Sequence, residues 1–73
     1  MRLRWAYRDH EGKTRVEDYW KNLMGDIHRH TKIPDKVWRM AFGYLAEYDA
    51  VIDGDYIDFK RGEDATLFLL RWA

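Results

Sequence analysis

The side chains able to do chemistry in this chain of 73 residues are carboxylates, three histidines and thirteen lysines and arginines; it contains neither Cys nor Ser. The two commonest nucleophiles, the cysteine thiol and the serine hydroxyl, are therefore absent. Thr14, three residues before Glu17, is better suited to capping a helix. His28-Arg29-His30 has the composition of a metal pair, but residues two apart on a helix point in different directions, and His10 is the only other imidazole. Asp53, Asp55 and Asp58 miss the alternating spacing, with glycine at the sixth position, of a calcium loop. Glu47 and Asp49 have no histidine or glycine-rich loop at a telling distance. A domain this small hardly encloses a substrate cleft on the order of several hundred Å³. The sequence therefore predicts a protein that is not an enzyme, with no cofactor, no metal and no small-molecule substrate.

What remains is binding chemistry, and the charges are laid out unevenly. From Met1 to Met40 ten Lys and Arg stand against six acids, whereas from Ala41 to Ala73 three stand against seven, so a formally neutral chain divides into halves of opposite sign. Such asymmetry either marks interaction surfaces or draws the two halves together in the fold. The acids Glu47, Asp49, Asp53, Asp55, Asp58, Glu63 and Asp64 form a carboxylate-rich set suited to the basic surface of a nucleic-acid-binding partner. They equally suit a strand edge kept soluble by charge. The cations Arg29, Lys32, Lys36 and Arg39, with His28 and His30, concentrate between two predicted helices. There they could contact phosphate, or simply place positive charge near a helix C-terminus.

Aromatic residues are the third resource: four Trp, five Tyr and three Phe. A domain of this size buries only about 60% of the surface its unfolded chain exposes, so rings that each remove roughly 150–250 Å² from water substitute for absent disulfides. Trp and Tyr also dominate interface hot spots. Tyr44, Tyr48 and Trp72 are the rings expected to be exposed for contact.

The elements that position these groups centre on Ile33 to Tyr48. Val37, Trp38, Ala41, Phe42, Leu45 and Tyr48 recur at helical spacing and make an apolar stripe broad enough to need cover from more than one side. Pro34 and Asp35 suit its first turn. Before it, Arg2 to Arg8 alternates as a strand, with Leu3, Trp5 and Tyr7 on one face and Arg2, Arg4, Ala6 and Arg8 on the other. Asp9 to Lys13 is a turn. Lys13 to Glu17 fits either a returning strand or a capping box, and the stripe Val16, Tyr19, Trp20, Leu23, Met24, Ile27 favours a helix over Arg15 to His30. The proline after Ile33 makes the corner between the helices tight. Beyond Tyr48, Ala50 to Phe59 reads as strand around an Asp53-Gly54-Asp55 turn. Ala65 to Trp72, after a turn at Gly62, fits a strand or a helix, with the strand favoured because it would pair with Tyr56 to Phe59.

The expectation is one α+β domain over residues 1–73, order β-α-α-β-β, with two helices packed on a three-stranded antiparallel sheet. From Arg15 to Trp72 this order resembles a winged-helix domain without its first helix. The resemblance implies that the helix within Ile33 to Tyr48 enters the DNA major groove and that the following hairpin is the wing. A DNA-binding protein using Arg29, Lys32, Lys36 and Arg39 is accordingly one expected function, although five acids on the wing oppose the phosphates. The other is a protein-binding module with an acidic and aromatic face, directed at a larger protein or protein–nucleic-acid complex. Small cysteine-free domains rich in aromatics resemble phage-encoded inhibitors of host machinery, including anti-CRISPR proteins. No segment approaches the ~20 apolar residues of a membrane span, and the first twelve residues alternate arginine with apolar residues unlike a signal peptide, so a cytoplasmic protein is expected.

Overall fold

The computed structural model describes all 73 residues. In chain order the elements are β1 (Arg2–Arg4), β2 (Ala6–Arg8), β3 (Thr14–Val16), α1 (Asp18–His28), α2 (Pro34–Ala46), β4 (Ala50–Asp53), β5 (Tyr56–Phe59) and α3 (Gly62–Trp72). The predicted order of strand, helix, helix, strand, strand is present in this α+β fold. A short hairpin follows the first strand, and a third helix follows the last.

The run from Arg2 to Arg8 is not one strand but two, because it serves two ladders. β1 pairs antiparallel with β5, Leu3 opposite Ile57, and β2 pairs antiparallel with β3, Ala6 opposite Val16. Trp5 is the junction. Its N–H donates to the Asp55 carbonyl and its own carbonyl accepts from the Glu17 N–H, both at 2.9 Å. The change of ladder breaks the alternation, so Ala6, expected on the wet face, is buried at 3% exposure.

Thr14 to Val16 is the returning strand, not the start of a helix. The Asp9 carboxylate builds the turn by accepting from the Glu11 and Lys13 amides at 2.9 and 3.0 Å. Its second oxygen takes the Arg15 guanidinium at 2.9 Å. Gly12, at φ 80°, supplies the left-handed residue the turn needs. The capping box does not form because Thr14 lies in β3 and Glu17 is itself the residue before α1; Glu17 lies 3.5 Å from Arg4, and no side chain caps the helix.

α1 buries Tyr19, Trp20, Leu23 and Ile27, and α2 buries Val37, Ala41 and Leu45. Ile33 takes extended angles before Pro34, which occupies the first turn of α2 as predicted. The sheet has the order β1-β5-β4. Its inner face is Ile57 and Phe59, with Leu3, Ala50 and Ile52 beside them.

The third sheet strand thus comes from within Ala50 to Phe59, and Ala65 to Trp72 is helical. Its apolar residues at helical spacing, Ala65, Phe68 and Trp72, are the buried ones. Glu63 and Asp64 in its first turn and Arg71 in its last complement the helix dipole. α3 closes the core: the fully buried Phe68 ring lies 5.5 Å from Phe59, 5.7 Å from Tyr19 and 5.5 Å from Tyr48. No helix is long and apolar enough to cross a membrane.

Candidate functional site

α3 packs against α1 and β5, and this decides which flank of α2 is covered. The flank of Tyr44, Leu45 and Tyr48 meets Phe68 and Trp72. The opposite flank is left in water, with Trp38 at 40% exposure and Phe42 and Ile33 at 53%. The stripe needed cover on two sides and has it on one.

The exposed rings are the outer rungs of a ladder that begins in the core. Trp20, 2% exposed, stacks on Trp5 with ring centroids 4.8 Å apart, and both lie 6.4 Å from Trp38, which lies 6.1 Å from Phe42. Each ring is held by the one beneath it, so Trp38 and Phe42 are presented at low conformational cost. At 100° per residue, Trp38, Phe42 and Arg39 share a sector of about 100° on the outer face of α2. Beside Trp38 a groove of about 280 Å³ runs between α1 and the start of α2, walled by Met24, His28, Lys32, Pro34, Val37 and Trp38.

The cations of this corner are unpaired. Six of the thirteen Lys and Arg side chains form ion pairs with acids. Arg29, Lys32, Lys36 and Arg39, all exposed, are not among them. Attraction between the oppositely charged halves does not account for them either, because only Arg2–Asp53, at 2.7 Å, joins one half to the other.

The structure does not bring the seven acids into one patch. Ala50 faces Phe59 and Asp53 faces Tyr56, so Asp49 and the acids that open α3 lie at one end of the β4–β5 ladder. Asp53 and Asp55 lie at the other, roughly 10 Å away along the strands. Several are already neutralised: Glu47 pairs with Arg71 at 3.6 Å and Glu63 with Arg61 at 3.8 Å. Asp58 lies opposite Arg2, whose guanidinium also sits 4.7 Å over the Tyr56 ring. The result is a surface of mixed sign.

The three rings expected to be exposed are structural. Trp72 is buried at 8% exposure, 5.5 Å from Tyr44, and its backbone carbonyl accepts from Asn22. Tyr44 is half-buried, and its hydroxyl donates to the Asp26 carboxylate at 2.9 Å, which holds the phenol proton on and raises its pKa. Tyr48 is half-buried edge-on to Phe68. Of the rings on α2, the two that do face water, Trp38 and Phe42, carry one sequence signal, a stripe wider than a single neighbour could cover; Val51, Leu67 and Leu70 are exposed apolar residues on other elements.

An open polar groove of about 500 Å³ between α1 and the end of α3 is walled mainly by charge: Lys21, Asp26, Arg29 and Arg71. No group of three His, Asp or Glu side chains comes together to hold a metal. Neither the family models, nor the curated proteins, nor the solved structures include a match to this chain.

Proposed function

We propose that this protein is a non-enzymatic protein-binding module whose contact surface is the outward face of α2 and the corner before it, in place of the dispersed acids. The carrying observation is the ring ladder, which spends an indole and a phenyl on water at a rigid position. Hot spots are built from such anchors, large rings backed by packed neighbours and rimmed by polar groups. A domain with this surface and no catalytic set acts by occupying a larger partner, which is how an inhibitor of a host nucleic-acid-processing complex would work. The test is affinity capture from the cells that make the protein, with the wild type beside Trp38→Ser and Phe42→Ser. A stoichiometric partner held by the wild type and lost by both variants supports the reading. A partner retained equally by the variants removes it.

A second reading, duplex DNA binding, is favoured by the unpaired Arg29, Lys32, Lys36 and Arg39 at the winged-helix-like corner. Against it, the sector that would meet base edges holds Trp38 and Phe42, and the hairpin tip carries Asp53 and Asp55. Titration with random duplex across a salt series decides. Affinity that falls steeply with salt counts phosphate contacts and supports DNA, and no binding at about 50 mM salt excludes it.

A further inference from the structure

From the juxtaposition of the exposed Trp38–Phe42 rings with unpaired cations on both sides, we infer that the α1–α2 corner receives an acidic amphipathic segment of its partner, apolar side chains seated on the rings and carboxylates on Lys32 and Arg39. This deepens the protein-binding reading and rests on it.

Two independent features point to the same occupant. The first is shape and polarity. The groove of about 280 Å³ has apolar walls from Met24, Pro34, Val37 and Trp38, and its polar margin comes from His28 and Lys32. That is room for one or two apolar side chains, and too little for a folded domain edge. It suits the spaced anchors of a short helix or extended peptide.

The second feature is charge. Lys32 walls the groove beside Trp38, and Arg39 lies one helical turn before Phe42 on the outer face of α2, with the acid Asp35 one turn before Arg39. Neither cation is ion-paired, whereas Arg2, Arg4, Arg15, Arg61 and Arg71 each lie within 4.0 Å of a carboxylate; away from the corner, Arg8, Lys13 and Lys60 are also unpaired but have no exposed ring ladder beside them. Cations left unpaired beside desolvating rings favour a partner of negative sign, because charge complementarity raises the association rate and penalises basic competitors. Nucleic acid is negative too. A duplex, however, would have to place phosphates or base edges against the Phe42 phenyl and the Asp35 carboxylate. Single strands, which stack on exposed rings, are the serious competitor.

The test uses three fluorescently labelled probes of similar length: a peptide with Leu and Phe at helical spacing among Glu and Asp, the same apolar pattern among Lys, and an oligothymidylate. Each is titrated into the wild type, Trp38→Ser, and a Lys32→Glu/Arg39→Glu double variant. All substituted side chains are solvent-exposed, and far-UV circular dichroism checks that each variant is folded. The expected result is binding of the acidic peptide alone, weakened about tenfold or more by Trp38→Ser and by the charge reversal. Preference of the double variant for the basic peptide would confirm the assignment. If both peptides bind the wild type equally and only Trp38→Ser weakens them, the protein-binding reading stands and the acidic partner is overturned. If only the oligothymidylate binds, with strong salt dependence, or if no probe binds, the inference is overturned, and the first of these outcomes overturns the protein-binding reading with it.

Discussion

The Trp5 indole donates its Nε1–H to the Gly54 carbonyl across 3.0 Å, tying the junction between the two ladders to the tip of the β4–β5 hairpin. The same ring supports Trp38 from beneath. One side chain therefore fixes both the sheet and the exposed face of α2. Trp5→Phe keeps an aromatic ring and loses the hydrogen bond, and is expected to cost about 1 kcal/mol. Trp5→Ala also removes the support of the ladder and is expected to cost about 3 kcal/mol, the lower end for an aromatic truncation because the ring is only half-buried. Urea midpoints followed by circular dichroism measure both. Equal midpoints for wild type and Trp5→Phe would show that the indole N–H contributes nothing.

Tyr19 makes stability depend on alkaline pH. Its hydroxyl donates to the Arg4 carbonyl, and burial, followed by the nearby Glu17 carboxylate, pushes its pKa from 10.0 up to about 12. Between those values the folded state holds a proton that the unfolded chain has released, so stability falls as pH rises. The contribution is complete below about pH 10 and is lost as the pH passes through about 12. Tyr19→Phe should flatten the decline between those limits while lowering stability at neutral pH by about 1 kcal/mol for the lost hydrogen bond. A denaturation series from pH 8 to 12 checks it, and parallel curves for the two proteins would contradict the assignment.

Asp9 acts at the opposite end of the pH scale. The Arg15 guanidinium, then the Lys13 amide, hold its carboxyl below its ordinary pKa of 3.8, so the stability it gives the β2–β3 hairpin is present above that value and is lost as the pH falls through its lowered pKa. Amide exchange should show Tyr7 and Arg15, the hydrogen-bonded pair of that ladder, losing protection at acid pH. Asp9→Ala should show the same loss at pH 7. Unchanged protection in that variant would mean that Gly12 and the strand pairing suffice for the turn.

What could be read in the sequence and what could not separate along physical lines. α1 and α2 were legible because a helix of three or more turns repeats its apolar period several times, and Pro34 marks its own position. β3 was not, since Thr14 to Glu17 satisfies two local rules at once. The choice between them is made by the pairing of β3 with β2, Ala6 opposite Val16. α3 was read as a strand from its short apolar run, although Ala65, Phe68 and Trp72 hold helical spacing and Glu63 and Asp64 open it as acids open helices. The exposed face of α2 depends on the same distinction. With a strand after Gly62, nothing distinguishes the two flanks of α2, whereas with a helix there, Tyr44 and Tyr48 are covered and Trp38 and Phe42 are not.

Thr66 gives a substitution whose sign depends on that distinction. It is exposed on the second turn of α3, and its hydroxyl returns to the Gly62 carbonyl at 3.2 Å. Thr is a weaker helix former than Ala, so Thr66→Ala should raise stability by about 0.5 kcal/mol. In a strand, Thr is preferred and the same change would lower stability. For a domain of this size the expected gain corresponds to a rise of roughly 2–4 °C in Tm. A fall in Tm would argue against the helix.

Asp49 carries the one left-handed backbone outside glycine, φ 51°, where the chain turns from α2 into β4. An L-residue pays roughly 1–2 kcal/mol for that region, less for Asp and Asn, whose short polar side chains tolerate it. Asp49→Gly removes the steric cost but loosens the unfolded chain, so the net gain should stay below about 1 kcal/mol. Asp49→Asn should be close to neutral, and Asp49→Val should destabilise by about 2 kcal/mol, since a β-branched residue tolerates the conformation worst. Thermal melts of the three variants order them Gly, Asn, Val from most to least stable if the backbone sets the cost. If the carboxylate instead matters to folding, Asn and Gly fall together below the wild type, and the acid at this corner has a structural role that its exposed position does not show.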